Sequence, residues 1–215
     1  MTELSPALQS WNDRFAAVVA DIEAVDPGHD INHIKRVVNN AMRFARAEGA
    51  NLAVVLPAAW LHDCVQVRKD SPLRAKASGL AAEQASAWLA QWGYDESLIP
   101  AIAHAIEAHS YSANLPCRSL EAQVVQDADR MDALGAIGIA RTLLVGASFG
   151  NPLTFHEDPF CYHRTADDKA AIIDHFYTKL LKLKDSFQTK AALEEAGKRH
   201  QFMQDYLDQL ETEIC

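Results

Sequence analysis

The chain has 215 residues, of which 49% are hydrophobic and 23% are charged. A chain of this length can bury a hydrophobic core without disulfides or a structural metal, and its composition is that of an ordinary globular protein. The formal net charge of −9 argues against a nonspecific nucleic-acid binder, because phosphate backbones attract a basic surface. A small phosphate compound in a local basic pocket remains compatible with this charge.

The N-terminal segment 1–6 has neither the basic start nor the apolar run of a secretory signal. No apolar stretch approaches the roughly 20 residues that a membrane-spanning helix needs. Cys64, Cys117, Cys161 and Cys215 are scattered along the chain, which indicates neither a zinc knuckle nor a disulfide framework. We therefore expect a cytoplasmic protein that does not bind membranes.

Apolar periodicity predicts helices throughout the chain and no run of strands. In chain order, the predicted helices cover 6–25, 30 or 32 to 48, 52–64, 76–92, 97–109, 120–134, an apolar stretch reaching about 145, 165–183 and 189–213. The third helix is apolar almost all round and should be central, although Pro57 should kink it or mark its first turn. Gly49 is a natural stop for the second helix, and Gly135 and Gly138 should bend the chain. These patterns predict an all-α fold.

His62 and Asp63 stand side by side at the end of the apolar segment 58–63. A carboxylate in apolar surroundings costs several kcal/mol unless it is paired or bound to a metal. Adjacent helical residues point about 100° apart, so one ion can touch both side chains only near a helix end. The predicted end of the third helix meets that condition.

Further candidate ligands occur on other predicted helices. His33 lies early on the second helix, and Asp127 and Asp129 lie on an apolar helix after Val124 and Val125. Imidazoles and carboxylates together form a nitrogen and oxygen ligand set that suits a divalent metal. We expect one such ion, namely Mn²⁺, Ni²⁺, Co²⁺, Fe²⁺, Zn²⁺ or Mg²⁺.

The ordered set of a His, a His-Asp pair and a distant Asp resembles the pattern of the HD superfamily of metal-dependent phosphohydrolases. The resemblance is strongest to bacterial HD-domain hydrolases of the YedJ and YpgQ kind, and it covers most of the chain. It is carried by segments 30–37, 58–63, 109–110, 126–138 and 175–184.

This resemblance implies a single HD-domain helical bundle over 1–215, with a metal-site core at about 26–135 and C-terminal helices at about 165–214 packing on it. It implies the ligands His33, His62, Asp63 and Asp129. Asp127 is the rival for the last position; Asp129 is preferred because the family pattern puts the ligand after an alanine. Asp132, one turn onward, is a candidate to contact one of the metal ligands without binding the ion itself.

The resemblance also implies a small-molecule phosphate substrate, with nucleotides favoured. A metal ion can polarise a phosphoryl oxygen and generate hydroxide near neutral pH, and fixed positive charge must then surround the phosphoryl group. The candidates for that charge are Lys69, Arg130 and Lys182. Lys69 is preferred because its loop leaves directly from the metal-bearing helix.

His104 and His109 raise the alternative of a second metal, as in HD-domain di-iron oxygenases. Five residues along a helix correspond to about 140° around its axis, so the two imidazoles do not share a face, and one metal is favoured. We interpret His109, beside Ser110, as a proton-transfer or substrate-contacting group. Asp63 can also orient the attacking water. A di-iron oxygenase and a non-catalytic nucleotide-binding domain stay open as alternatives, as does the oligomeric state.

Overall fold

The structure, a computed structural model, describes residues 4–22, 30–67, 71, 73, 76–110 and 113–214. These residues form helices and no strand, which confirms the all-α fold. Short 3-10 helices occupy Glu96–Leu98 and Leu180–Ser186. The α-helices are α1 (Pro6–Ala20), α2 (Ile31–Glu48), α3 (Leu52–Leu61), α4 (Ala77–Trp92), α5 (Ile99–His109), α6 (Leu120–Met131), α7 (Gly135–Ser148), α8 (Asp174–Thr178) and α9 (Lys190–Ile214).

The chain divides into two compact units, Met1–Asp129 and Arg130–Cys215. The first unit contains α1 to α5 and most of α6, and the second contains α7 to α9. A single domain over 1–215 stays a prediction. Among the described residues, no single helix is both long and apolar enough to span a membrane, although α6 and α7 pass that criterion together as a bent pair.

Helix α3 is the centre of the first unit, as its uniform apolarity predicts. It contacts α1, α2, α4 and α5, and every residue from Val54 to Leu61 is buried. Pro57 lies inside this helix and has no N–H to donate to the carbonyl of Ala53, one turn earlier. The Tyr94 hydroxyl donates to that carbonyl at 2.6 Å, so the missing helical hydrogen bond is replaced by a side chain.

Local capping fixes where the site-bearing helices begin and end. The Asp30 carboxylate caps α2 by accepting the His33 backbone N–H at 2.9 Å. Gly49, with φ of 76°, ends the same helix in the left-handed conformation that glycine adopts without strain. Helix α3 ends at Leu61 with His62 as its C-cap. The prediction of a helix to residue 64 was therefore too long, and His62 and Asp63 stand at the helix end.

In the second unit, α7 contacts α9, and α9 and α8 contact the 3-10 helix Leu180–Ser186. The predicted helix over 165–183 is wrong, because α8 begins only at Asp174. The backbone N–H groups of Ile172 and Ile173 donate to Pro152 and Leu153 instead of to helical carbonyls. The Asp167 N–H donates to the Asp174 carboxylate at 2.6 Å. Tertiary hydrogen bonds thus replace the helix that local pattern favours.

Candidate functional site

Four helices of the first unit bring nitrogen and oxygen donors to one place. His33 lies in the first turn of α2, His62 and Asp63 follow α3, His109 is the last residue of α5, and Asp129 lies in the last turn of α6. We call these five side chains the metal-type cluster. They are ligand types that transition metals and zinc use in proteins.

The cluster is tight around the imidazole Nε2 atoms. The Asp129 Oδ1 atom lies 3.5 Å from His33 Nε2 and 3.9 Å from His62 Nε2. The Asp63 Oδ2 atom lies 3.5 Å from His62 Nε2 and 4.0 Å from His33 Nε2. The other Asp63 oxygen, Oδ1, lies 3.8 Å from His109 Nε2. These separations are too long for hydrogen bonds.

Two of the imidazoles are oriented in the same way. His62 Nδ1 lies 2.8 Å from the Ala59 carbonyl oxygen, and His109 Nδ1 lies 2.5 Å from the Ile106 carbonyl oxygen. A carbonyl only accepts, so each Nδ1 carries a proton, and in the neutral imidazole each Nε2 then keeps a lone pair. Both lone pairs are thereby available to a cation.

These residues fit a divalent metal ion. His62 is 1% exposed, and within the described part of the chain its buried Nε2 has no hydrogen-bond partner. Two ligand atoms bound to one ion at about 2.1 Å lie at most about 4.2 Å apart, and the measured separations of 3.5 to 4.0 Å satisfy that limit. Two overlapping triplets could hold an ion, His33 with His62 and Asp129, and His62 with Asp63 and His109.

The protonation states of the cluster also suit a cation. Burial lowers the pKa of His109 from its ordinary value, and neighbouring His62 acts in the same direction. Burial acts to raise the pKa of Asp129, but His109, His62 and His33 outweigh it, so the pKa of this carboxyl is lowered. A neutral imidazole and an ionised carboxylate are the forms that bind metals.

The structure separates residues that the sequence left as alternatives. Asp129 reaches His33 and His62, whereas Asp127 is completely buried two positions earlier on α6, about 200° around the helix. His109 joins the cluster, whereas His104 Nε2 accepts the Arg118 backbone N–H at 3.0 Å. The two histidines therefore face different partners, as their spacing predicts.

The predicted phosphate-binding residues are not in this cluster. Lys69 lies outside the described residues. Arg130 donates to the Ser186 carbonyl at 2.8 Å, and Lys182 is exposed on the 3-10 helix Leu180–Ser186. Asp132, the candidate to contact a metal ligand, is buried, and its carboxylate pairs with Arg141 at 2.9 Å. All but Lys69 belong to the second unit.

Sequence reasoning missed the part played by Gln126. This side chain is 5% exposed, and its Nε2 donates to the Ala108 carbonyl at 2.7 Å. The bond ties α6 to the residue that precedes His109, so it fixes the end of α5 relative to the helix that carries Asp129. A polar residue directly after Val124 and Val125 was the signal that could have identified it.

Comparison with known proteins identifies a family and a relative that resemble this chain. The HD domain family matches residues 30–134. The chain is 33% identical over 192 residues to YpgQ of Bacillus subtilis (strain 168), a protein described as uncharacterized, covering 87% of this chain and 85% of YpgQ.

Solved structures agree with that match. The crystal structure of Bacillus subtilis YpgQ in complex with ADP superposes with a TM-score of 0.74 at 32% identity, covering 94% of this chain and 97% of that one. An HD-superfamily hydrolase from Bacillus thuringiensis superposes with a TM-score of 0.73 at 34% identity, covering 95% and 97%. The chain therefore belongs to the HD domain family and has the fold of the HD-superfamily hydrolases.

Proposed function

We propose that the protein is a metal-dependent phosphohydrolase that acts on small phosphate compounds, with nucleotides as the substrate class. The observation that carries the proposal is the convergence of carboxylate oxygens within 3.5 to 4.0 Å of the buried Nε2 atoms of His33 and His62. His33, His62, Asp63 and Asp129 would hold one divalent ion. When bound, that ion supplies Lewis acidity toward a phosphoryl oxygen and lowers the pKa of a water ligand.

The chain's own residues would orient and deprotonate the attacking water. Asp63 is 25% exposed and has one oxygen toward His62 and the other toward His109, so it can accept a hydrogen bond from water. Burial lowers the pKa of His109 and so favours its neutral form, whose Nε2 faces the same space and can accept a proton and later return it to the leaving group. The Ile106 carbonyl holds this imidazole in the required tautomer.

Positive charge is needed around the transferred phosphoryl group, and Lys69 is proposed to supply it, while Arg130 and Lys182 stay predictions from the sequence. Nucleotides are favoured as substrates because the related YpgQ was crystallised with ADP. That complex concerns YpgQ, and it supports a nucleotide here through 32% identity over 94% of this chain.

The test is a screen of nucleoside tri-, di- and monophosphates and simple phosphoesters with each candidate metal. Inorganic phosphate and pyrophosphate are measured separately, in the wild type and in Asp63→Ala. We expect metal-dependent release of one of these products in the wild type and none in the variant. Equal activity in the two proteins would remove the cluster from the reaction. Two equivalents of bound iron with an oxygen requirement, and no phosphate release, would favour the oxygenase alternative instead.

A further inference from the structure

The C-terminal end of α5 carries His109, and side chains hold that end in place. His109 is the last residue of α5, and Ser110 leaves the helix with φ of −70° and ψ of 127°. The last four carbonyl oxygens of a helix receive no helical N–H. Here the Ile106 carbonyl accepts from His109 Nδ1 at 2.5 Å, and the Ala108 carbonyl accepts from Gln126 Nε2 at 2.7 Å. Both bonds act on the turn that carries the imidazole.

The amide of Gln126 is the strong donor to the Ala108 carbonyl. Gln126 is 5% exposed, and its bond of 2.7 Å is at the short end of the range for N–H donors. The Cys117 thiol lies 3.9 Å from the same oxygen, and a thiol donates only weakly. Buried backbone carbonyls are costly to leave unpaired, so removal of the amide should displace the end of α5 toward another donor.

The helix that supplies this amide also supplies a candidate metal ligand. Gln126 and Asp129 are three residues apart on α6, so their side chains occupy neighbouring positions about 60° apart around the helix. Asp129 Oδ1 lies 3.5 Å from His33 Nε2 of α2. One helix thus contacts both a ligand in the metal-type cluster and the end of α5, and it sets the position of one relative to the other.

The position of the His109 ring depends on that contact. The Ile106 carbonyl fixes the direction of the ring, but it belongs to α5 and moves together with it. His109 Nε2 lies 3.8 Å from Asp63 Oδ1, and the His109 and His62 ring centroids are 4.9 Å apart. Proton transfer requires hydrogen-bond reach, and a displacement of about 1 Å can lower a rate by about 100-fold. A small shift of α5 is therefore enough to impair His109.

We propose that Gln126 is a positioning residue for proton transfer. Its amide holds the end of α5 so that His109 Nε2 faces Asp63, and Gln126 itself is not one of the five side chains of the metal-type cluster. The inference rests on the proposed function, in which His109 accepts and returns a proton. It assigns to Gln126 an effect on turnover that acts through His109 alone.

A double-mutant cycle on the best substrate tests this assignment. Gln126→Met keeps the length of the side chain and removes the donor, so kcat should fall about tenfold while KM and metal content stay within about twofold of the wild type. In His109→Gln, the same substitution should change kcat by less than about twofold, because no imidazole is left to misplace. An equal fall in both backgrounds, or loss of metal together with activity, overturns the proposal.

Matched variants separate this effect from a loss of stability. Gln201→Met removes an amide that donates to Asp205 at the exposed surface of α9, and Tyr94→Phe removes another donor to a backbone carbonyl. Both should keep the kcat of the wild type. Gln126→Asn, whose shorter amide does not reach the Ala108 carbonyl, replaces Gln126→Met if that variant does not fold, and the same results are expected from it.

Side-chain ¹⁵N NMR of the histidines gives a measurement that does not depend on turnover. In Gln126→Met, the His109 imidazole signals should move while those of His33, on α2, stay at their wild-type positions. If the wild type hydrolyses no substrate, the proposed function fails, and this measurement alone decides the role of Gln126. Unchanged His109 signals, or an unchanged kcat in Gln126→Met, would show that Gln126 does not position His109.

Discussion

Asp174 in the second unit and His62 in the first are both buried polar side chains, 0% and 1% exposed, but their surroundings differ. The Asp174 carboxylate accepts two hydrogen bonds from Arg164, at 2.5 and 2.7 Å, and a third from the Asp167 N–H. Among the described residues His62 Nε2 has no hydrogen-bond partner, and the nearest Asp63 and Asp129 oxygens lie 3.5 and 3.9 Å from it. A buried group that the chain itself satisfies stabilises the fold, whereas one that faces other acceptors is suited to bind a cation.

The largest expected effect is on the cluster. Asp63→Ala should lose bound metal and reduce hydrolysis at least about 1,000-fold, because several kcal/mol of transition-state stabilisation depend on the ion. Metal content by atomic emission and initial rates on the best substrate check this. Asp205→Asn, at an exposed position of α9, is the control and should behave as the wild type. Full activity in Asp63→Ala would refute the ligand assignment.

The matching change in the second unit should affect stability instead. Asp174→Asn leaves Arg164 without its carboxylate partner and should lower the free energy of unfolding by about 3 kcal/mol at pH 7, measured by urea denaturation. The partly exposed i, i+4 pair of Arg199 and Glu195 provides the control, because Glu195→Gln keeps a hydrogen-bond acceptor and should change stability by less than about 1 kcal/mol. An equally small effect in both variants would contradict the comparison.

The pH dependence of that loss follows from the pKa of Asp174. Burial acts to raise this pKa, but Arg164 and the Asp167 N–H outweigh it and hold it below the ordinary value of 3.8. A carboxyl with a lowered folded pKa stabilises fully above its unfolded pKa and loses that contribution as pH falls through the folded value. The difference between the wild type and Asp174→Asn should therefore be complete at pH 7 and shrink below about pH 4.

A substitution of His109 distinguishes proton transfer from metal binding within the metal-type cluster. His109→Gln should lower kcat about 100-fold through loss of proton transfer while metal content stays near that of the wild type. Steady-state kinetics and metal analysis on the same preparation distinguish the roles. Loss of the metal together with activity would make His109 a ligand and would favour the triplet with His62 and Asp63.

The smallest expected change in stability comes from removing the Tyr94 hydroxyl, which has a hydrogen-bond partner within the chain. Tyr94→Phe removes the donor to the Ala53 carbonyl, so the free energy of unfolding should fall by about 1 kcal/mol with no change in metal binding. Tyr162→Phe is the matched control, since that hydroxyl donates to Glu211 at the exposed surface. A change in metal content in Tyr94→Phe would contradict this interpretation.

Sequence alone predicted the helices around the cluster well, because local signals fix their ends. Gly49 stops α2, and the uniform apolarity of α3 makes it central. The helix predicted over 165–183 failed because its backbone N–H groups bond to residues about 20 positions earlier, at Pro152 and Leu153. No local pattern encodes such long-range partners.

The candidate site also has features that the sequence predicts and features that depend on tertiary packing. The His-Asp pair at a helix end and the spacing of His104 and His109 were readable from the chain, because both depend on helical geometry alone. That Asp129 faces the imidazoles while Asp127 does not depends on how α6 is rotated against α2 and α3. The sequence marks Gln126 as a polar residue in an apolar segment, but its bond to the Ala108 carbonyl is a tertiary contact, so only the structure shows that partner.

We propose that one divalent ion binds the metal-type cluster, and metal titration of chelator-treated protein tests this binding most directly. Mn²⁺ is added stepwise to the wild type and to His62→Ala while bound metal and the thermal unfolding temperature are measured. We expect one equivalent bound per wild-type chain with a rise in unfolding temperature, since a ligand that binds only the folded state stabilises it. Neither should occur in His62→Ala. Equal binding and equal stabilisation of the two proteins would contradict the account.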